Sequence, residues 1–135
     1  MNLKVIIVED EPLSRGFLER YCEKLGDIEV AGSFEDAEMA LQYLHKNEID
    51  VIFLDVEMPN LSGFQLLDQM MYMPKVILTT SKTDYAFDAF QYGVADYLKK
   101  PITFNRFKEA LDKIKHLINK EHHPIHNKSQ EVSLT

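Results

Sequence analysis

Five side chains stand out because each sits at or just beyond the end of a short apolar run: Glu9, Asp10, Asp55, Thr80 and Lys100. Carboxylates crowded into one site repel, and they stay ionised only where a cation or a basic group compensates. Glu9, Asp10 and Asp55 offer hard oxygen ligands, too few for a full calcium cage. They suit Mg²⁺, which keeps several waters and takes a few carboxylates together with a phosphate. A carboxylate is also a nucleophile toward phosphorus and forms an acyl phosphate. Its own charge repels an incoming phosphoryl group, so a metal ion and a lysine are needed to offset it. On this reading Asp55 takes a phosphoryl group, and Thr80 and Lys100 contact its oxygens. Each residue alone is unremarkable. Acids at strand ends usually cap helices or face solvent, threonines bond backbone, and lysines lie on surfaces. The chemistry follows only if the fold gathers the ends of these runs.

The apolar pattern predicts that it does. Val5-Ile6-Ile7-Val8, Val51-Ile52-Phe53-Leu54 and Val76-Ile77-Leu78 are continuous apolar runs, as expected for strands buried on both faces of a parallel sheet. Ile28-Glu29-Val30 and Val94-Ala95-Asp96-Tyr97-Leu98 read as two further strands. Helical stripes lie between them. The first is Leu13, Phe17, Tyr21 and Leu25, closed by Gly26. The second is Ala37, Ala40, Leu41 and Leu44, beginning through Ser33. The third follows a capping box at Ser62-Gly63-Phe64-Gln65. The fourth is Ala86, Phe87, Ala89 and Phe90, closed by Gly93. The fifth is Phe104, Phe107, Leu111, Ile114 and Ile118, beginning through Thr103. Five strands alternating with five helices predict an α/β fold, (βα)5, with a doubly wound parallel sheet. The flavodoxin-like order 2-1-3-4-5 is favoured, and ligands in such sheets bind beyond the carboxyl ends of the strands. Glu9, Asp55, Thr80 and Lys100 all fall on that edge.

At 135 residues, 45% hydrophobic and 27% charged, the chain affords one domain with a core and a tail. The single cysteine, Cys22, has no internal partner and sits within a helical pattern, as a small buried apolar side chain would. The first eight residues are too short and wrongly flanked for a signal peptide or membrane span, so a cytoplasmic protein without membrane contact is expected. A net charge of −7 argues against direct binding of DNA by these residues. A domain at 1–120 is expected, with a polar tail or linker at 121–135 whose His122, His123 and His126 read as solvated residues rather than a metal site.

Val8-Glu9-Asp10-Glu11-Pro12, Leu54-Asp55-Val56-Glu57-Met58-Pro59, Thr80-Ser81 and Tyr97-Leu98-Lys99-Lys100-Pro101 resemble the signature of the receiver domains of bacterial two-component response regulators. The resemblance covers residues 1 to about 118. Tyr85-Ala86-Phe87-Asp88-Ala89-Phe90 and Asp96-Tyr97-Leu98 further resemble receivers of the LytTR type, which carry a DNA-binding domain downstream. It implies Asp55 as phosphoacceptor from a sensor histidine kinase, Asp10 as direct Mg²⁺ ligand and Glu9 as an acid acting through water. It implies the backbone carbonyl of Glu57 in the metal shell, Lys100 pairing with the phosphoryl group, and a Lys100–Pro101 peptide that is often cis. Thr80 would be the switch hydroxyl and Tyr97 the aromatic residue that moves with it. Helix four, strand five and helix five would form the responding face, with homodimerisation there a further implication. On that face Phe87 and Phe90 are expected in the buried stripe, and Tyr85 and Tyr92 toward a partner. Glu9 in place of the usual Asp and Ser81 in place of a common Ala are the departures.

Two other chemistries fit these residues less well. A flavin site needs a Ser/Thr/Gly-rich loop after the first strand, which Glu9-Asp10-Glu11 would spoil by repulsion. An aspartyl-phosphate phosphatase needs its nucleophile on the first strand and a second Asp two residues beyond it, where this chain has Glu57. The receiver is therefore expected to act in signalling, catalysing only its own phosphorylation and dephosphorylation. Its output is either a downstream LytTR-type DNA-binding domain outside this chain or direct protein contact as a stand-alone receiver. The LytTR-like stretches favour the first.

Overall fold

Apolar runs and amphipathic segments alternate along the chain, and the structure follows them. A computed structural model describes residues 2–122: β1 (Leu3–Val8), α1 (Pro12–Glu23), β2 (Ile28–Phe34), α2 (Ala37–Leu44), β3 (Val51–Asp55), α3 (Gly63–Asp68), β4 (Lys75–Thr80), α4 (Ala86–Gln91), β5 (Asp96–Lys99) and α5 (Phe104–His122). The strands form one parallel sheet in the order β2-β1-β3-β4-β5, the flavodoxin-like order expected. Residues 123–135, including His123 and His126, lie outside the described residues, as does the side chain of His122.

Alternation along the buried strands feeds two cores. Leu3, Val5, Ile7, Val51, Phe53, Ile77 and Leu98 face α1 and α5, meeting Leu18, Cys22, Phe107, Leu111 and Ile114. Ile6, Val8, Ile52, Leu54, Val76 and Leu78 face α2, α3 and α4, meeting Ala37, Ala40, Leu44, Leu66, Leu67 and Ala89. Side chains on a strand point alternately to opposite faces, so runs without polar residues must be covered twice. The helix starts are built from local chemistry. Asp36 accepts the Met39 amide at 2.9 Å, Ser62 and Gln65 close the predicted capping box, and Thr103 Oγ1 accepts the Arg106 amide at 3.2 Å.

The structure corrects several details. Ser33 lies in β2, and Asp36 begins the second helix. α1 ends at Glu23 with Lys24 as its cap, ahead of Gly26. The four-residue spacing of Leu13, Phe17, Tyr21 and Leu25 drifts by about 40° per step around a 3.6-residue helix. Leu13 and Phe17 are consequently 65% and 43% exposed, while Leu18 and Cys22 face the core. On α4 the expectation is reversed. Phe87 and Phe90 are 71% and 79% exposed, whereas Tyr85 and Tyr92 pack partly buried against the sheet around Ala89. Positions 85, 89 and 92 share one helix face, and 87 and 90 turn away from it. Gly93 does close that helix, with φ of +66°.

Candidate functional site

Strand register decides which side chains can meet. Val8 lies opposite Leu54, Asp55 opposite Thr79 and Thr80 opposite Lys99, so the carboxyl ends of β1, β3, β4 and β5 form a single edge. Glu9, Asp55, Thr80 and Lys100 are brought there together, as the sequence predicts. Asp55 ends a strand buried along its whole length and is itself buried. α3 starts hard against it, since a Cβ on Gly63 would approach the Asp55 carbonyl oxygen to 2.5 Å. Only glycine permits that contact.

Lys100 reaches between the acids from the Lys100–Pro101 peptide, which is cis. Its Nζ lies 2.8 Å from Glu9 Oε1, 3.4 Å from Asp55 Oδ2 and 3.9 Å from Glu11 Oε1. Burial would lower the lysine's pKa, but its contacts to Glu9 and Asp55 outweigh that and raise it. Asp55 shows the opposite balance. Burial first, then its hydrogen bond and repulsion with Glu9, hold its carboxyl well above the usual carboxylate range, against the pull of Lys100 and the Glu57 amide. That amide donates to Asp55 Oδ1 at 3.1 Å.

Glu9, Asp10 and Asp55 each present a carboxylate oxygen within 4.8 Å of the others. Glu9 is fully buried, and the Lys100 ammonium faces its Oε1 at 2.8 Å. Three clustered carboxylates, with Lys100 paired to Glu9 and Asp55, carry more negative charge than one ammonium offsets, which makes a site that a divalent cation fits. The acidic loop is braced from α1, where Arg15 Nη1 donates to the Glu9 carbonyl at 2.9 Å.

Sequence reasoning gave Glu57 only a backbone role, and it missed the side chain. Glu57 Oε1 accepts Thr80 Oγ1 at 3.1 Å, Ser81 Oγ at 3.2 Å and the Ser81 amide at 3.4 Å, while Oε2 pairs with Lys82 Nζ at 3.3 Å. Burial works against ionisation of Glu57, but Lys82, Thr80 and Ser81 outweigh it and hold the carboxyl below its ordinary value. Thr80 Oγ1 in turn accepts the Lys82 amide at 3.0 Å, and the Tyr97 hydroxyl donates to the Lys82 carbonyl at 2.7 Å. Thr80 is fully buried and Tyr97 half-buried. The only signal in the sequence was a pair of opposite charges, Glu57 and Lys82, in loops that follow neighbouring strands.

Beside this edge, Leu13, Phe17, Tyr21, Lys100, Pro101 and Ile102 border a cavity of about 550 Å³ between α1 and the β5–α5 loop. Cys22 takes no part in the site. Burial, with Glu19 and Glu23 nearby, pushes its thiol up to about 12.

Known response regulators resemble this chain in sequence and fold. Residues 5–112 match the family described as response regulator receiver domain. Transcriptional regulatory protein BtsR of Escherichia coli (strain K12) is 35% identical over 115 residues, 84% of this chain and 48% of its own length. Sensory transduction protein LytT of Bacillus anthracis is 34% identical over 116 residues, 84% of this chain and 47% of its own. The chain thus spans about half the length of the curated relatives it matches. Among solved structures, the response regulatory domain of mrkE from Klebsiella pneumoniae is 33% identical with a TM-score of 0.80, covering 87% of this chain and 99% of that one. The REC domain of AraT from Geobacillus stearothermophilus is 30% identical with a TM-score of 0.79, covering 90% and 99%.

Proposed function

Because this chain belongs to the response regulator receiver domain family, we propose that it accepts a phosphoryl group on Asp55 from a sensor histidine kinase and signals through a change in shape. The observation that carries this reading is Lys100 standing between Glu9 and a buried Asp55 at the carboxyl edge of the sheet. Asp55 attacks the phosphorus of a phosphohistidine. An O–P bond forms as the P–N bond breaks, and the electron pair stays on the imidazole nitrogen. Lys100 neutralises phosphoryl oxygens, and Thr80 donates its hydroxyl to one of them. Glu9, Asp10, Asp55 and the Glu57 carbonyl would hold Mg²⁺, which supplies the positive charge that lets an anionic nucleophile meet an anionic group. The reaction modifies the protein itself and turns over no external substrate apart from the phosphodonor.

The domain occupies residues 1–120 on this reading, with 121–135 leading to an output domain. Half-length coverage of the relatives, together with the LytTR-like stretches, favours a LytTR-type DNA-binding domain that controls transcription in the cytoplasm. The face formed by α4, β5 and α5 carries the response as Thr80 and Tyr97 move, and it is where two copies would meet. The test is incubation with Mg²⁺ and acetyl phosphate followed by intact-mass measurement. A single Mg²⁺-dependent phosphoryl adduct, lost in Asp55→Asn, supports the proposal. If the wild type gains no adduct and binds no beryllofluoride, the proposal fails.

A further inference from the structure

We infer that the Glu57 carboxylate is a positioning residue that holds Thr80 and the β4–α4 loop in their resting arrangement by competing with the phosphoryl group for the same donors. The inference rests on the receiver reading and extends it to the regulation of that site. A threonine hydroxyl has one proton to give. Here that proton goes to Glu57 Oε1, 3.1 Å away, and it is then not available to a phosphoryl oxygen on Asp55. The same carboxylate gathers the hydroxyl and amide of Ser81 and the ammonium of Lys82. These contacts tie the loop after β3 to the loop after β4.

The tie reaches further than Thr80. Lys82 donates its amide back to Thr80 Oγ1, and its carbonyl receives the Tyr97 hydroxyl at 2.7 Å. One carboxylate therefore fixes the threonine, the loop and the aromatic residue of β5 in one connected arrangement. A phosphoryl group on Asp55 brings up to two negative charges within two residues of Glu57. It repels the carboxylate while offering stronger acceptor oxygens to Thr80. Release of Glu57 and capture of Thr80 are then one exchange, and the carboxylate sets how much of the phosphoryl interaction is used to leave the resting state.

The prediction separates this competition from simple repulsion. Glu57→Ala removes the acceptor, and beryllofluoride with Mg²⁺ should bind roughly tenfold more tightly, the scale of one hydrogen bond to a charged group. Glu57→Gln keeps an acceptor without the charge and should gain less. In a Thr80→Ala background the gain from Glu57→Ala should fall to within about twofold, because the contested donor is gone. In the absence of any phosphoryl analogue, the Tyr97 ring resonances of ¹³C-labelled Glu57→Ala should already shift toward their beryllofluoride-bound positions. Glu57 is partly exposed, so these variants should keep the fold, with circular dichroism as the check. A wild type that takes the adduct beside a Glu57→Ala that binds beryllofluoride no more tightly overturns this inference alone. A gain that persists in full with Thr80→Ala also overturns it, since the carboxylate would then act by charge only. A wild type that takes neither adduct nor beryllofluoride removes the receiver reading and this inference with it.

Discussion

α4 and α5 each carry two phenylalanines three residues apart, Phe87 and Phe90 in one, Phe104 and Phe107 in the other, yet the pairs end in opposite environments. Phe107 is fully buried, stacks on Phe53 with centroids 5.0 Å apart, and is followed by Ala110, Leu111 and Ile114 on the same buried face. Phe87 and Phe90 stand in solvent, and Ala89 is the one buried residue of α4. Spacing fixes only which side chains share a helix face. What lies opposite decides whether that face is inside. α5 runs along the sheet as a long helix, while α4 is six residues fastened at its ends by Tyr85 and Tyr92. Phe64 stacks on Tyr92 at 5.0 Å, and the Tyr92 hydroxyl donates to Asp68 at 2.8 Å. A helix held by few contacts opens at low free energy, and switching elements are drawn from such regions.

This contrast can be broken by measurement. Phe107→Ala should cost about 3–5 kcal/mol of stability by urea unfolding, the range for a buried aromatic reduced to a methyl group. A loss under about 1 kcal/mol would mean that α5 is no better anchored than α4. Next in size is the forked pair of Arg106 with Asp96, at 3.0 and 2.7 Å, which ties α5 to β5. Burial raises the Asp96 pKa, but the Arg106 hydrogen bonds, the Tyr97 amide and the nearby cations lower it further, to a net depression. A depressed folded-state pKa gives stability that is present above the unfolded value near 3.9 and is lost as pH falls through the folded one. Arg106→Ala should therefore cost about 1 kcal/mol at neutral pH, discounted for the arginine's exposure, and the gap to wild type should close below about pH 4 in melts. A gap independent of pH would assign Arg106 to packing alone.

On α4, Tyr92→Phe keeps the stack and removes the hydrogen bond, so a loss of about 0.5–1 kcal/mol should appear with faster amide exchange confined to α4. Exchange rising equally in α5 would show that the two helices open as one unit. Smallest of all, Phe87→Ala and Phe90→Ala should each change monomer stability by under about 0.5 kcal/mol. A larger loss would place these rings in contact with protein.

The legible parts of the fold were those where one interaction dominates. β1, β3 and β4 are covered on both faces, so their sequences have little choice but continuous apolar runs. β2 runs four residues past its predicted end because Ala31, Gly32, Ser33 and Phe34 extend along the sheet's rim, where backbone pairing with β1 needs no apolar pattern. α4 was misread because Phe87 and Phe90 are apolar for reasons other than the core. At the candidate site, Glu9, Asp55, Thr80 and Lys100 were legible because strand ends map onto one edge once topology is known. The Glu57 side chain was not. Its partners Thr80, Ser81 and Lys82 come from another loop, and no periodicity records a meeting of loops.

Cys22 has a practical consequence. Buried on the inner face of α1 with its thiol pushed up to about 12, it holds almost no thiolate at neutral pH, and thiolate is the form that alkylates. The native chain is thus nearly silent to maleimide chemistry. A cysteine introduced on the exposed face of α4 would accept a fluorophore or spin label with no need to remove the natural one first.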